Sequence, residues 1–126
     1  MSDVERLGRG SYLLVTTFRK DGTPVPTPVW VGVDGGELIV WTNAAAGKVK
    51  RIRNNPVVEL TACDLRGKPR GETVKGTARI LDDAGTEHGR RVLRRKYGIA
   101  GHITIGASTL FRGRHGTLCI AISVDE

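Results

Sequence analysis

A chain of 126 residues with a net charge of +7 has material for one domain, residues 1–126, with one usable core, and leaves no room for a second catalytic domain. No run approaches the ~18 apolar residues that a membrane-spanning helix needs, so a spanning helix is excluded. The 17 glycines and the few aromatics, two each of Trp, Tyr and Phe, suit tight turns between strands better than a helical bundle.

In chain order, residues 1–10 are polar with Val4 and Leu7 at helical spacing, a short helix leading into the first strand. Residues 12–18 read as a strand, and Asp21-Gly22 after them is a hairpin signal, because such turns want positive φ. The returning strand covers residues 25–33. Pro24, Pro26 and Pro28 alternate through its first half, and proline donates no ladder hydrogen bond, so that half lies at an edge or pairs on one side only. An edge beside a ligand would serve equally well. Asp34-Gly35-Gly36 then turns the chain into a third strand over residues 38–42.

The stretch from Trp41 to Pro56 reads as a strand end, a turn capped by Asn43 and a short helix stopped by Asn54-Asn55-Pro56. A helical period puts Ala45, Val49 and Ile52 on one face and Lys48, Arg51 and Asn55 in a polar stripe at its rim. Small residues ahead of Lys48 leave backbone N–H groups open at the positive end of the helix, and two cations follow within a turn. That combination suits an anion such as phosphate. The same residues also suit a solvated basic helix, since charge runs commonly face water.

Further strands are expected over residues 57–63 and 73–81, the second with Val74, Gly76, Ala78 and Ile80 alternating with Lys75, Thr77 and Arg79. Asp82-Asp83 opens a second helix over residues 84–97, acidic at its start and basic at its end, with Gly98 as the stop. Residues 98–114 are glycine-broken and ambiguous, with Ile103, Ile105, Leu110 and Phe111 expected to pack locally. Residues 117–124 close the chain as a strand buried on both faces or at an interface. Six antiparallel strands with two to three short helices predict a mainly β fold, a small barrel whose helices cover gaps where it fails to close. A barrel of this size holds no large cofactor inside. A bulky ligand would bind outside it, with a second subunit as the other wall.

The cationic excess favours acidic partners: nucleic acid, an anionic membrane surface, or a small molecule carrying phosphates and carboxylates. Cys63 and Cys119 lie far apart without a C-x-x-C, and no apolar signal-type segment follows Met1, so reduced thiols and a cytoplasmic location are expected. His88, His102 and His115 lack metal-ligand spacing, no Ser-His-Asp or Cys-His order occurs, and P-loop and dinucleotide glycine motifs are absent. No metal site is expected, and the histidines read as surface residues. Cys63 reads as core packing, and Trp30 and Trp41 as ordinary buried aromatics or as shields for a ring. The arginine-rich helix could contact nucleic acid, but stacking aromatics are scarce and no reading motif is present.

Several motifs resemble one family. They are Thr17-x-x-x-Asp21-Gly22-x-Pro24, Thr27-Pro28-Val29-Trp30, Trp41-Thr42-Asn43 followed by Gly47-Lys48-x-x-Arg51-Ile52-x-x-Asn55-Pro56, and Gly76-x-Ala78-Arg79. In this order and spacing they resemble the split-barrel flavin and deazaflavin proteins related to pyridoxamine 5′-phosphate oxidase, in particular the actinobacterial group that uses coenzyme F420. The resemblance implies a split β-barrel (FMN-binding split barrel) and a homodimer with two interfacial cofactor sites. It implies an oxidoreductase that moves a hydride between reduced F420 and a small organic substrate, with no membrane and no nucleic acid as partner. Lys48 is then the phosphate-binding lysine, Thr42 the strand-end contact beside it, and Arg51 a phosphate or tail ligand. Pro28, Val29, Trp30 and Val31 would pass the ring with backbone groups meeting its polar edge, and Trp41, Asn43 and Gly47 complete the cofactor-binding set; no catalytic residue is implied. Ala46-Gly47 stands where the flavin-oxidase branch often carries Ser-Arg or Thr-Arg. That departure, with the charge of +7, favours F420 over FMN. The alternatives are an FMN-binding oxidoreductase and a non-catalytic carrier of F420, flavin or haem.

Overall fold

The structure, a computed structural model, describes residues 2–112 and 116–125, with side chains described for residues 2–98 and 116–125. Its elements in chain order are α1 (Asp3–Arg9), β1 (Tyr12–Phe18), β2 (Pro24–Asp34), β3 (Glu37–Asn43), α2 (Gly47–Asn54), β4 (Val57–Cys63), β5 (Val74–Ile80), α3 (Asp83–Arg112) and β6 (Thr117–Val124). The strands close an antiparallel barrel in the order β1-β2-β3-β6-β5-β4. Period-two patterning drives this closure. Leu13, Val15, Val29, Val31, Leu38, Val40, Val58, Leu60, Ala78, Ile120 and Ile122 fill the interior, leaving no space there for a cofactor.

The small residues of β5 are needed for close packing. A Cβ on Gly76 would lie 2.7 Å from the Ser123 carbonyl oxygen. On β6, Cys119 and Ala121 point outward to meet Ile39 and Leu93 in a second cluster, which is why residues 119–122 are all buried. That cluster seats the first half of α3 on the outside of β3 and β6.

α3 differs from the expectation of short helices. Its backbone runs on to Arg112, broken at Gly98, whose φ of 61° and ψ of −134° interrupt the helical ladder. Gly98 therefore stops the first half as expected, and a further helical stretch follows it. The expected local packing of Ile103, Ile105, Leu110 and Phe111 lies outside the described side chains, as do those of His102 and His115. His88 is exposed and bonded to Asp34 at 2.9 Å. Both cysteines are free and buried.

The barrel is unevenly closed. β2 pairs with β1 from Pro24 to Trp30 but with β3 only from Val31 to Asp34. Across from that free edge, Trp41, Thr42 and Asn43 of β3 pair with β6 alone. The three prolines explain the gap: at period two their nitrogens all face one way, and a ladder on one side only can satisfy such a strand.

Candidate functional site

The split between residues 24–30 of β2 and the end of β3 leads to α2, which packs against β1 and β5. Asn43 accepts the Ala45 N–H at 2.9 Å, so its side chain holds the turn, as expected. The helix itself starts at Gly47 after the N-cap Ala46 with no side-chain cap, and Val49 N–H bonds the Ala46 carbonyl at 3.1 Å, which leaves the Gly47 and Lys48 N–H groups for an incoming anion. Ala45 is not on the apolar face: it lies in the turn ahead of the N-cap Ala46 and is exposed, because the helix begins only at Gly47.

Lys48 departs most from the expected rim. It is 7% exposed, flanked by the buried Val49 and Ile52 on the inward side of α2, and its Nζ donates to Thr42 Oγ1 at 3.3 Å. Thr42 is buried as well. Removal from water, and then the neighbouring Arg51 cation, push the Lys48 pKa below the usual lysine range. Three ammonium protons thus face one neutral hydroxyl. Among the described residues no carboxylate forms an ion pair with Lys48.

Arg51 stands beside it, with Nε donating to Thr17 Oγ1 at 2.7 Å. Thr17 is a fully buried hydroxyl on the inward face of β1. A Cβ at Gly47 would sit 2.7 Å from Arg51 Nη1, so glycine at that position lets the guanidinium lie across the start of the helix. Next to this pair is a hollow of ≈ 320 Å³ lined by Arg19, Lys20, Gly47, Lys50, Arg51 and Asn54. Among the described residues, none of its four cations forms an ion pair with a carboxylate. Arg19 and Lys20 come from the β1–β2 hairpin and were not apparent as site residues in the sequence; only the register of β1 against β2 brings them to α2.

On the outer side of the split, Trp30 and Trp41 face each other at 6.4 Å between ring centroids. They are the first residues past the last β2–β3 pair, Val31 with Val40. The Trp41 indole Nε1 is buried and has no acceptor among the described residues. Pro28 is exposed and Val29 is in the barrel core.

The backbone of Val31, expected to be open to a ring, is occupied. Its N–H donates to the Tyr97 hydroxyl at 3.0 Å, and its carbonyl accepts from Lys96 Nζ at 2.6 Å. Both partners come from the end of the first half of α3, where no local sequence signal pairs them with β2. Tyr97 also stacks on Trp30 with centroids 4.3 Å apart and planes 8° apart. Within the basic run before Tyr97, Arg90 is the buried cation. Arg90 is 3% exposed and donates to Thr117 Oγ1 at 2.7 Å and to the Thr117 carbonyl at 3.1 Å. Arg94 bonds Glu87, so Arg91 and Arg95 are left as the outward-facing arginines of that run.

What the arrangement can do follows from its chemistry. A buried cation, an uncapped helix start and a basic hollow converge on one end of the split, and an indole donor without acceptor lies among aromatics on the other. The first set suits phosphate and further anionic groups, and the second suits a flat ring with acceptors. Among the described residues no cluster of His, Cys, Asp and Glu could hold a metal, and no helix is long and apolar enough to cross a membrane.

Known proteins place this fold. The family model described as pyridoxamine 5′-phosphate oxidase matches residues 4–115. Solved structures similar to it include an F420 reductase, at 20% identity and a TM-score of 0.68, covering 100% of this chain and 96% of that one. A conserved hypothetical protein from Mycobacterium tuberculosis is similar at 20% identity and a TM-score of 0.73, over 100% of this chain and 82% of the other. A haem storage protein from Vibrio cholerae is similar at 14% identity and a TM-score of 0.69, over 98% and 89%. No curated protein matches the chain.

Proposed function

The chain belongs to the pyridoxamine 5′-phosphate oxidase family, and from that premise we propose that it binds a redox cofactor at the β2–β3 split, coenzyme F420 ahead of FMN, and passes a hydride to a small organic acceptor. The family is of oxidoreductase type and binds flavin-type cofactors. The observation that carries the reading for this chain is Lys48: a buried ammonium with one neutral partner and a second cation beside it. Such a group is costly unless an anion answers it.

When bound, a deazaflavin or flavin supplies the carbon that carries the hydride. The work of this chain's residues is then to bind, orient and exclude water. Lys48, Thr42 and the start of α2 hold the phosphate, with Arg51 beside them fixed by Thr17. Trp30 and Trp41 shield the ring, and the Trp41 N–H reads an acceptor on its edge. The preference for F420 rests on charge. Four cations, none in a salt bridge among the described residues, line the adjoining hollow, and a phosphodiester with a glutamate tail answers more of them than a single phosphate does. A homodimer would supply the other wall of the split.

Fluorescence titration with F420 and with FMN tests this directly. Micromolar or tighter binding that falls more steeply with salt for F420 than for FMN is expected. No binding of either at micromolar levels removes the proposal. The haem reading has less support: His88, the one histidine whose side chain is described, is tied to Asp34 on the surface.

A further inference from the structure

Tyr97 sits where a ligand ring would have to lie. Its phenol is stacked on Trp30, almost parallel and 4.3 Å away between centroids. Its hydroxyl accepts the Val31 N–H at 3.0 Å and donates to the Ser11 carbonyl at 2.6 Å. A flat face and an oxygen acceptor are what a flavin-type ring, with its pyrimidinedione edge, would offer the same two groups. The match is incomplete, because Trp41 beside Trp30 keeps a buried indole N–H that the phenol leaves unanswered.

The surroundings let the ring move while the backbone stays. Lys96, one residue earlier, pins the end of this half of α3 by donating to the carbonyls of Gly8 and Gly10 at 2.7 Å each and of Val31 at 2.6 Å. Gly98, one residue later, breaks the helical ladder at a φ of 61°. Tyr97 is therefore the last residue of an anchored helical half, directly before the break at Gly98. Burial raises the phenol pKa above its ordinary value, which keeps the hydroxyl protonated and able to accept and donate together.

We propose that Tyr97 is a removable placeholder: in the ligand-free chain its phenol holds the Trp30 face and the Val31 N–H, and a planar heteroaromatic ligand with acceptors along one edge displaces it. The inference rests on the reading that the cofactor ring passes Trp30, and adds to it a residue that regulates access. The consequence is opposite in sign to that of an ordinary wall residue. A placeholder competes with the ligand, so weakening its hold raises ligand affinity, whereas trimming a wall lowers it.

The test uses lumichrome, a flavin-type ring without ribityl phosphate, and FMN, titrated into wild type, Tyr97→Phe and Tyr97→Ala and followed by quenching of tryptophan fluorescence. Tyr97→Phe keeps volume and stacking while losing the hydroxyl bonds, and is expected to bind lumichrome about three- to tenfold more tightly than wild type. Amide exchange at Val31 gives a second readout: fast in ligand-free Tyr97→Phe, and slowed again by lumichrome. Equal or weaker lumichrome binding by Tyr97→Phe overturns the placeholder, as does a Val31 amide that lumichrome leaves unprotected. Should lumichrome bind none of the three proteins, the placeholder also falls. The cofactor reading survives that result if FMN or F420 still binds in a Lys48-dependent way, and fails with it if Lys48→Ala changes nothing.

Discussion

Lys48 is buried and Lys96 is exposed at the end of the first half of α3, and the partners of these two lysines could hardly differ more. Desolvation pushes both pKa values below the ordinary lysine value, in Lys48 with help from Arg51. Lys96 spends its three protons on three backbone carbonyls at 2.6–2.7 Å, of Gly8, Gly10 and Val31. It ties α1, β2 and α3 together, and two of its acceptors lie in the last turn and C-cap of α1, where a cation is favoured. Lys48 has one hydroxyl at 3.3 Å and a second cation close by. The same ammonium is thus saturated by the fold in one place and left short of acceptors in the other. A saturated ammonium holds structure; a buried, unsaturated one awaits a ligand.

Lys96→Met should have the largest effect and only on stability. Water can replace the ammonium at the exposed Gly10 carbonyl, but the Gly8 carbonyl is left wanting and the Val31 carbonyl keeps only the Tyr97 hydroxyl at 3.0 Å, a loss of about 2–3 kcal/mol. Thermal unfolding should show a drop of roughly 10 °C by that figure, with FMN and F420 affinity within about twofold of wild type. A tenfold loss of affinity in a folded Lys96→Met would erase the distinction between the two lysines. Lys48→Ala should do the reverse, weakening cofactor binding by about 1.5–3 kcal/mol, the usual range for a hydrogen bond to a charged group. Lys50→Ala, an exposed position on the lip of the hollow, should cost under about 1 kcal/mol because water screens it. Equal losses at 48 and 50 would move the anchor from the buried lysine to the hollow.

A sharper version replaces Lys48 by an apolar side chain of similar length. Lys48→Met removes an unsatisfied charge from beside Val49 and Ile52, and should stabilise the ligand-free chain by about 1–2 kcal/mol while still abolishing tight cofactor binding. Stability and function then trade against each other at one residue, read by denaturant midpoint on one side and by titration on the other. A destabilised Lys48→Met would mean that Lys48, like Lys96, serves the fold.

The features legible in the sequence were those with local causes. Alternation and turn chemistry fixed β1, β4 and β6 to the residue, and period-two prolines announced the one-sided pairing of β2. Gly98 marked the break in α3. What stayed hidden depends on partners far along the chain. A helical period tells which residues share a face but not how deeply that face sinks, so Lys48 read as a rim residue although it flanks Val49 and Ile52. Tyr97 meets Val31 across 66 residues and Lys96 meets Gly8 across 88, and neither pairing leaves a trace in local spacing. The basic hollow was foreshadowed only by the net charge. Its Arg19 and Lys20 arrive through a hairpin whose sequence speaks of a turn and not of a site.

The smallest effect, and the most selective, is a pH dependence. A lysine whose folded pKa lies below its unfolded value binds fewer protons folded than unfolded between those two values, so stability rises with pH across that window and levels off near 10.5. Its integral cannot exceed the charge penalty of Lys48, the same ~1–2 kcal/mol that Lys48→Met should recover. Other groups titrate nearby. The raised phenol of Tyr97, and the Cys119 thiol pushed up to about 12, act in the opposite sense at the alkaline end. Subtracting the Lys48→Met profile from that of wild type removes them, since that variant keeps both groups. The difference between the two proteins should therefore narrow steadily as pH rises toward 10.5, and saturating phosphate should remove most of it at neutral pH by giving the ammonium its missing partner. A gap that stays constant with pH would mean that Lys48 is equally at ease charged in the folded and unfolded chain, and the contrast with Lys96 would dissolve.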